Sequence, residues 1–274
     1  MAASLEDIKK LRALTGAGLG DCKKALAEAD GNIESAIEII RKKGQAVAAK
    51  RSDREASEGC VLTKAENGFG AILALKCETD FVAKNADFVK LAQDIIDLAV
   101  ANKCATLDEV KALSLNGVTV AEAVTDRSGI TGEKMELDGY MTITSDHIST
   151  YDHQGKHVLC TMVALNKDVD AQYGHAVAMQ VAAMNPVSLS ENDVPEEIKK
   201  QEYEIAADKA RQEGKPENMI DRIAQGRMHK FYKEACLLEQ EFIQDSKLTV
   251  TTYLQQADKE CTVTAFKRFT LRAE

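Results

Sequence analysis

The first part of the chain places apolar residues at the spacing of amphipathic helices. In three consecutive stretches they recur every three or four positions, as expected when one helix face packs on a small core. Asn32 is a candidate N-cap for the third stretch, and Gly44 a candidate left-handed C-cap. The pattern predicts three helices within residues 1–44, with apolar faces formed by Leu5, Ile8 and Leu11, by Cys22, Ala25, Leu26 and Ala29, and by Ile33, Ala36, Ile37 and Ile40.

A glycine-rich turn, residues 15–20 (TGAGLG), joins the first two predicted helices. Leu19 in this turn has no predicted helix face on which to bury itself. An exposed apolar side chain on a turn is typical of a contact surface. Asp21 occupies the place of the last glycine of a dinucleotide-binding fingerprint, and a helix rather than a strand precedes the turn, so that fingerprint is rejected.

Strand-like patterns begin after a charged, alanine-rich stretch at residues 45–57, which is predicted to be a helical or flexible linker. Two strand-like runs, 59–64 and 69–77, flank an Asn-Gly pair, and this arrangement is typical of a β-hairpin. A polar loop at 78–85 then leads to a predicted helix at 86–101. The order of elements is therefore hairpin, loop and helix.

The same order returns later in the chain. A strand at 147–151 and an apolar run at 157–165 flank a turn, and the loop 166–172 leads to a helix that ends near Met184. The repeat predicts a duplicated α+β core, in which helices cover two antiparallel sheets. An alternating run at 262–271 predicts a strand that returns to the second sheet.

Residues 193–235 are strongly charged and have helical spacing. Pro195 suits a helix start, and Gly214-Lys215-Pro216 interrupts the pattern. The first of the two helices has too thin an apolar stripe to cover both a partner helix and a core. The pattern favours an antiparallel hairpin that protrudes from the core, and the alternative is an ordinary packed pair.

Charge and composition narrow the possible functions. Lys and Arg number 35 against 44 Asp and Glu, a net charge of −9, so broad nucleic-acid binding is disfavoured and a protein partner becomes the better expectation. No apolar run is long enough for a membrane span, and the charged first ten residues are unlike a signal peptide, so a cytoplasmic location is expected. The seven scattered cysteines include no C-x-x-C pair, which predicts reduced core thiols.

Motifs for chemistry are largely missing. Neither Gly155-Lys156 nor Gly214-Lys215 belongs to a phosphate-binding loop, and no nucleophile elbow is present. His147, His153 and His157 lie near Asp146 and Asp152, a set that could ligate zinc. On strands, however, the three histidines share one side and the two aspartates the other, unless the turn redirects them. Metal ligation is therefore disfavoured, and a zinc-dependent hydrolase is kept only as an alternative.

Phe81 is unusual in the polar loop at 78–85. Local pattern leaves two interpretations open. Phe81 could fold back onto the sheet beneath the helix, with Thr79 or Asp80 as a cap. It could instead be an apolar wedge beside a carboxylate, presented to a partner.

Motifs along nearly the whole chain resemble, in order, those of the bacterial translation elongation factor Ts family. They are Leu11-Arg12-x-x-Thr15-Gly16-Ala17-Gly18, Asp21-Cys22-Lys23-Lys24-Ala25-Leu26, Thr79-Asp80-Phe81-Val82-Ala83-Lys84, Tyr151-x-His153, Gly226-Arg227-Met228 and Phe266-x-Arg268-Phe269. The resemblance implies guanine-nucleotide exchange on elongation factor Tu without covalent chemistry. It implies no cofactor, no metal, no direct binding of nucleotide or nucleic acid, and no membrane association.

The resemblance also implies site residues. Asp80 and Phe81 would enter the partner's GTPase domain near its magnesium site, flanked by Thr79 and Val82. Further contacts to the partner would come from the first turn and from the second subdomain, at Gly18, Leu19, Asp21 and His153.

The expected domain organisation combines pattern and resemblance. A ubiquitin-associated-like three-helix domain and a linker precede two core subdomains, N and C, and a coiled-coil hairpin interrupts subdomain C. A ubiquitin-associated-like adaptor without exchange activity remains an alternative to the exchange factor. The boundaries are 1–44, 45–57, 58–138 for subdomain N, 139–192 with 236–274 for subdomain C, and 193–235 for the hairpin.

Overall fold

In the computed structural model, which describes residues 4–272, three helices open the chain as predicted. Ser4 caps the first helix by accepting a hydrogen bond from the Asp7 amide at 3.0 Å, and Asn32 caps the third by accepting from the Ser35 amide at 2.9 Å. Leu11, Cys22 and Leu26 are fully buried between them. The helices are α1 (Leu5–Thr15), α2 (Leu19–Glu28) and α3 (Ile33–Lys50).

A three-stranded sheet and four helices follow. The predicted hairpin is confirmed, because its strands meet at Asn67 and Gly68, which both have positive φ. The predicted helix at 86–101 is confirmed as well, and it buries Phe88, Ile95 and Ile96. The sheet order is β1-β2-β5. The elements are β1 (Glu58–Glu66), β2 (Phe69–Cys77), α4 (Asp80–Ala83), α5 (Ala86–Ala101), α6 (Leu107–Ala112), β3 (Ser114–Leu115), β4 (Val118–Thr119), α7 (Val120–Thr131) and β5 (Met135–Thr144).

Gly44 does not end the third helix, and that prediction is wrong. α3 continues to Lys50, through the first part of the predicted linker. Gly44 is buried in mid-helix, where it lies against Gly129 of α7: a Cβ added to Gly129 would lie 2.1 Å from the Gly44 Cα. The glycines therefore allow the two helix backbones to touch, and this tertiary contact accounts for Gly44 better than a cap does.

The second hairpin, loop and helix occur in the predicted order. β6 (His147–Asp152) pairs antiparallel with β7 (Leu159–Leu165), and α8 (Ala171–Met184) follows. α8 approaches β6 closely, since a Cβ on Gly174 would lie 2.1 Å from the Ser149 Oγ. Val163, Val177 and Val181 are fully buried in the core that these elements share.

Two long helices and a short closing region complete the chain. α9 (Glu196–Gln212) and α10 (Glu217–Ala235) flank Gly214, which has a φ of 72°, and they bury Ala207, Ala210 and Ala224. The predicted last strand is confirmed and lies beside β7 in the order β10-β7-β6. The closing elements are β8 (Glu241–Phe242), β9 (Asp245–Thr249), α11 (Val250–Leu254) and β10 (Val263–Thr270).

Contacts group the chain into two compact units. The first contains the described residues up to Leu62, residues Leu73–Met141 and the described residues from Thr270. The second contains Thr63–Ile72 and Thr142–Phe269. Helices and antiparallel strands occur together, as the α+β prediction stated. Between residues 4 and 272, no helix combines the length and apolarity that a membrane crossing requires.

All seven cysteines are buried, and none forms a disulfide. This agrees with the expectation of core thiols. Burial raises the pKa of the Cys77 thiol to about 12, so this group stays protonated at neutral pH.

Candidate functional site

Phe81 is an exposed side chain on the short helix that follows β2. It is 85% exposed, and α4, which contains it, buries none of its four residues. The interpretation in which Phe81 folds back onto the sheet is therefore wrong, because the turn of α4 directs the ring into solvent. The capping role expected of Thr79 or Asp80 falls to Thr79, whose hydroxyl accepts a hydrogen bond from the Val82 amide at 3.4 Å.

Two consecutive residues anchor the base of this loop. The Thr79 amide donates to the Glu133 Oε2 at 3.1 Å, and the Thr79 hydroxyl donates to Oε1 at 2.6 Å. The Glu78 carboxylate accepts from the Lys134 amide at 2.6 Å. The loop is thus held to the segment that joins α7 to β5. Its anchors lie more than fifty positions from the loop in the chain, and for that reason the sequence pattern did not reveal them.

Two arginines complete the surroundings of Glu78. Arg51 Nη1 lies 2.9 Å from Oε1, and Arg54 Nη1 lies 3.0 Å from Oε2. Burial disfavours the charged carboxylate, but the hydrogen bonds from the Lys134 amide, Arg51 and Arg54 outweigh it and lower the pKa of Glu78 to about 2. Glu78 therefore remains ionised at neutral pH and below.

Replacing Glu78 by glutamine is expected to make stability less dependent on pH. The pKa of Glu78 is about 2 in the folded chain against 4.5 unfolded, so ionised Glu78 stabilises the fold above about pH 4.5. That contribution disappears as the pH falls to about 2. Thermal midpoints of wild type and Glu78→Gln should differ most at pH 7 and converge between pH 4.5 and 2. A constant difference over this range would contradict the assignment, and Glu136→Gln controls for loss of a partly exposed, ion-paired carboxylate.

Asp80 lies next to Phe81 and remains charged. Its carboxylate accepts a hydrogen bond from Lys84 Nζ at 2.6 Å, and this bond lowers the pKa of Asp80. Both side chains are accessible to solvent, with 49% of Asp80 exposed. The loop therefore presents an apolar ring and an anionic carboxylate side by side.

The first turn of the chain also presents an apolar side chain. Leu19 is 51% exposed, as the sequence predicted, and Gly18 occupies the N-cap position of α2. Asp21 forms an ion pair with Lys43. Leu14, at the end of α1, is 59% exposed, a feature that the sequence analysis missed.

A cleft of about 810 Å³ opens beside this turn, within the first unit. It was not predicted, because its walls come from segments far apart in sequence. Leu14 and Leu19 line it together with apolar and charged residues of three other helices, α3, α5 and α7, and of the short strands β3 and β4. The further lining residues include Ile37, Ile40, Leu91, Leu115, Val118, Ile130, Arg41, Asp87, Lys90, Asp94, Asp126 and Arg127.

The histidines of the second unit form separate contacts. The Tyr151 hydroxyl lies 3.0 Å from the His153 Nδ1, and the His157 Nδ1 lies 2.5 Å from the Asp152 Oδ2. Asp152 and His157 were expected on opposite sides. They meet because Gln154, Gly155 and His157 have positive φ and reverse the chain. In the part of the chain that the structure describes, no three His, Cys, Asp or Glu side chains are arranged to hold a metal.

Comparison with known proteins identifies relatives along the whole chain. Residues 78–273 match the family model described as Elongation factor TS. The protein named elongation factor Ts of Bacteroides fragilis is 52% identical over 330 aligned residues, covering all of both chains. Its namesake in Porphyromonas gingivalis is 54% identical over 275 aligned residues, again with both chains fully covered. With the motifs in order and identity of this extent, the chain belongs to the elongation factor Ts family.

Proposed function

We propose that this protein binds elongation factor Tu and promotes the exchange of its GDP for GTP. The observation that supports this most directly is the exposed Phe81, beside the charged Asp80, on a loop anchored at its base. Membership of the elongation factor Ts family supports the choice of partner. In this proposal Asp80 and Phe81 enter the partner's GTPase domain near its magnesium site, with Thr79 and Val82 on either side.

The proposed mechanism acts on the partner's magnesium. The partner's magnesium would supply positive charge that neutralises the phosphates of its bound nucleotide. Phe81 inserts between helices of the GTPase domain and displaces the groups that hold the ion, while Asp80 places a competing negative charge beside it. Loss of that neutralising charge would weaken the binding of the diphosphate and so promote release of GDP.

Such a factor needs no covalent chemistry. The factor weakens the binding of GDP by the same amount as GDP weakens the binding of the factor. Both effects equal one coupling free energy, because linkage is reciprocal. Distortion of the partner is therefore sufficient for exchange. We accordingly propose that the protein is an exchange factor without catalytic side chains, cofactor or metal.

One side chain cannot supply the whole coupling. Burying Phe81 contributes about 1.5–3 kcal/mol, which corresponds to one or two powers of ten in an equilibrium constant. The proposal therefore includes a broad interface. Gly18, Leu19 and Asp21 contact the GTPase domain in it, and His153 contacts another domain of the partner.

The proposed domain organisation follows the same family. Residues 1–44 form a ubiquitin-associated-like domain, 45–57 a linker, 58–138 subdomain N, and 139–192 with 236–274 subdomain C. Residues 193–235 form a protruding coiled coil. The small residues that α9 and α10 bury against each other, Ala207, Ala210 and Ala224, support close packing of these two helices.

Nucleotide release tests the proposed function. Elongation factor Tu is loaded with a fluorescent GDP analogue and mixed with excess unlabelled GDP and increasing amounts of this protein. We expect release to accelerate and to saturate with concentration. Failure of the folded protein to accelerate release would refute the exchange function, and binding without acceleration would favour the adaptor alternative.

A further inference from the structure

We propose that Glu133 is a positioning residue that fixes the orientation of the Phe81 loop. The inference rests on the proposed function, because its consequence is a change in nucleotide release. Glu133 lies outside the loop and is not among the residues proposed to touch the partner. Its carboxylate holds Thr79 through both oxygens, at 3.1 Å and 2.6 Å.

Packing restrains this loop only in part, because Val82 and Ala83 are partly buried. α4 spans four residues, Asp80–Ala83, and none of them is buried. A single helical turn is unstable by itself, because forming the first turn costs more entropy than its one hydrogen bond returns. The remaining restraint on the direction of Phe81 therefore comes from polar contacts at the base of the loop.

The polar contacts run from Glu133 to the helix in two steps. Glu133 binds both the amide and the hydroxyl of Thr79, and so fixes the backbone and the side chain of that residue together. The same hydroxyl accepts the hydrogen bond of the Val82 amide, which caps α4. With the hydroxyl proton directed to Glu133, an oxygen lone pair faces Val82. Loss of Glu133 would release both constraints.

Glu133 is itself firmly held. Gly132, with a φ of 73°, ends α7, and the Glu133 amide donates to the Thr131 hydroxyl at 3.3 Å. The Glu133 carbonyl accepts from the buried Ser128 hydroxyl at 2.5 Å. The Glu133 carboxylate that binds Thr79 thus belongs to a residue that is held at the end of α7. Such support is what a positioning group requires.

Loop order can be measured without the partner. Backbone ¹⁵N order parameters of Phe81 and Val82 should be near 0.85 in the wild type and fall below about 0.6 in Glu133→Ala. Glu136→Ala is the matched control, because it removes a carboxylate of β5 that pairs with the Lys134 side chain and makes no contact to Thr79. Unchanged order parameters in Glu133→Ala would overturn the proposal.

Nucleotide release gives the functional readout. In Glu133→Ala we expect the maximal release rate to fall roughly 10-fold, because misplaced groups lose most of their effect, while the half-saturating concentration changes less than about 2-fold. Loss of general stability would instead lower the fraction of active protein and the thermal midpoint. Glu133→Gln keeps one acceptor oxygen and should therefore restore part of the release rate. If Glu133→Ala does not fold, Glu133→Gln takes its place in the experiment.

The outcomes separate this inference from the exchange function. If wild type accelerates release, Phe81→Ala does not, and Glu133→Ala behaves as wild type, the positioning role is wrong and the exchange function stands. If wild type fails to accelerate release, the exchange function is wrong. In that case the order parameters still decide whether Glu133 orients the loop.

Discussion

Replacing Phe81 by alanine is expected to slow GDP release from elongation factor Tu by roughly 10- to 100-fold at saturating factor. The ring is 85% exposed in the chain alone, so it can bury its surface only in a partner. That burial contributes about 1.5–3 kcal/mol, or one to two powers of ten. Stopped-flow release of a fluorescent GDP analogue measures the effect. The thermal midpoint of the variant should match the wild type, because no packing is lost.

A control variant distinguishes the effect of losing the Phe81 ring from the effect of losing any exposed apolar side chain. Ile243 is 42% exposed near the end of β8 in the second unit, and Ile243→Ala should release GDP at the wild-type rate. The proposed mechanism fails if Phe81→Ala binds the GDP form normally and still releases GDP as fast as the wild type. It also fails if both alanine variants are equally slow.

The second large effect is expected at the contact between α3 and α7. Gly129→Ala would place a methyl group 2.1 Å from the Gly44 Cα, and a backbone atom cannot turn aside as a flexible side chain can. Overpacking of this kind typically costs about 1–3 kcal/mol. The cost outweighs the gain of about 0.5–1 kcal/mol that alanine brings to a helix. We therefore expect a lower thermal midpoint and a lower free energy of unfolding.

Two other glycines test this explanation. A Cβ on Gly44 would lie 3.4 Å from the Gly129 Cα, an ordinary contact, so Gly44→Ala should keep the gain in helix propensity and raise stability by up to about 0.5–1 kcal/mol. Gly226 in α10 has nothing within 4 Å of an added Cβ, and Gly226→Ala should raise stability by about 0.5–1 kcal/mol. Equal effects at Gly129 and Gly226 would show that helix propensity, and not the close approach, decides the outcome.

Local rules predicted the elements whose causes are local. The hairpin follows from Asn67-Gly68, both with positive φ, and α5 follows from apolar positions at helical spacing. At Gly44 such local rules gave the wrong prediction. In the sequence, a glycine that caps a helix cannot be distinguished from a glycine that allows a second helix to pack closely. Only the position of Gly129 decides between these two roles for Gly44.

The candidate site also has one part that the sequence could predict and another part that it could not. Thr79, Asp80 and Phe81 are neighbours in sequence, so the loop could be recognised as a unit before any fold was known. Its anchor could not, because Glu133 is distant in the chain and reaches Thr79 only after α7 and β5 are in place. The exposure of Phe81 likewise depends on how α4 leaves the sheet, which a pattern of apolar and polar positions does not specify.

The buried cysteines give each unit a chemical reporter of its own opening. Cys22, Cys60, Cys77 and Cys104 belong to the first unit, and Cys160, Cys236 and Cys261 to the second. Alkylating reagents need an accessible thiolate, so the rate at which each buried cysteine is labelled reports how often its surroundings unfold locally. Mass spectrometry of peptides after timed alkylation would therefore show whether partner binding slows the opening of one unit or of both, without any engineered label.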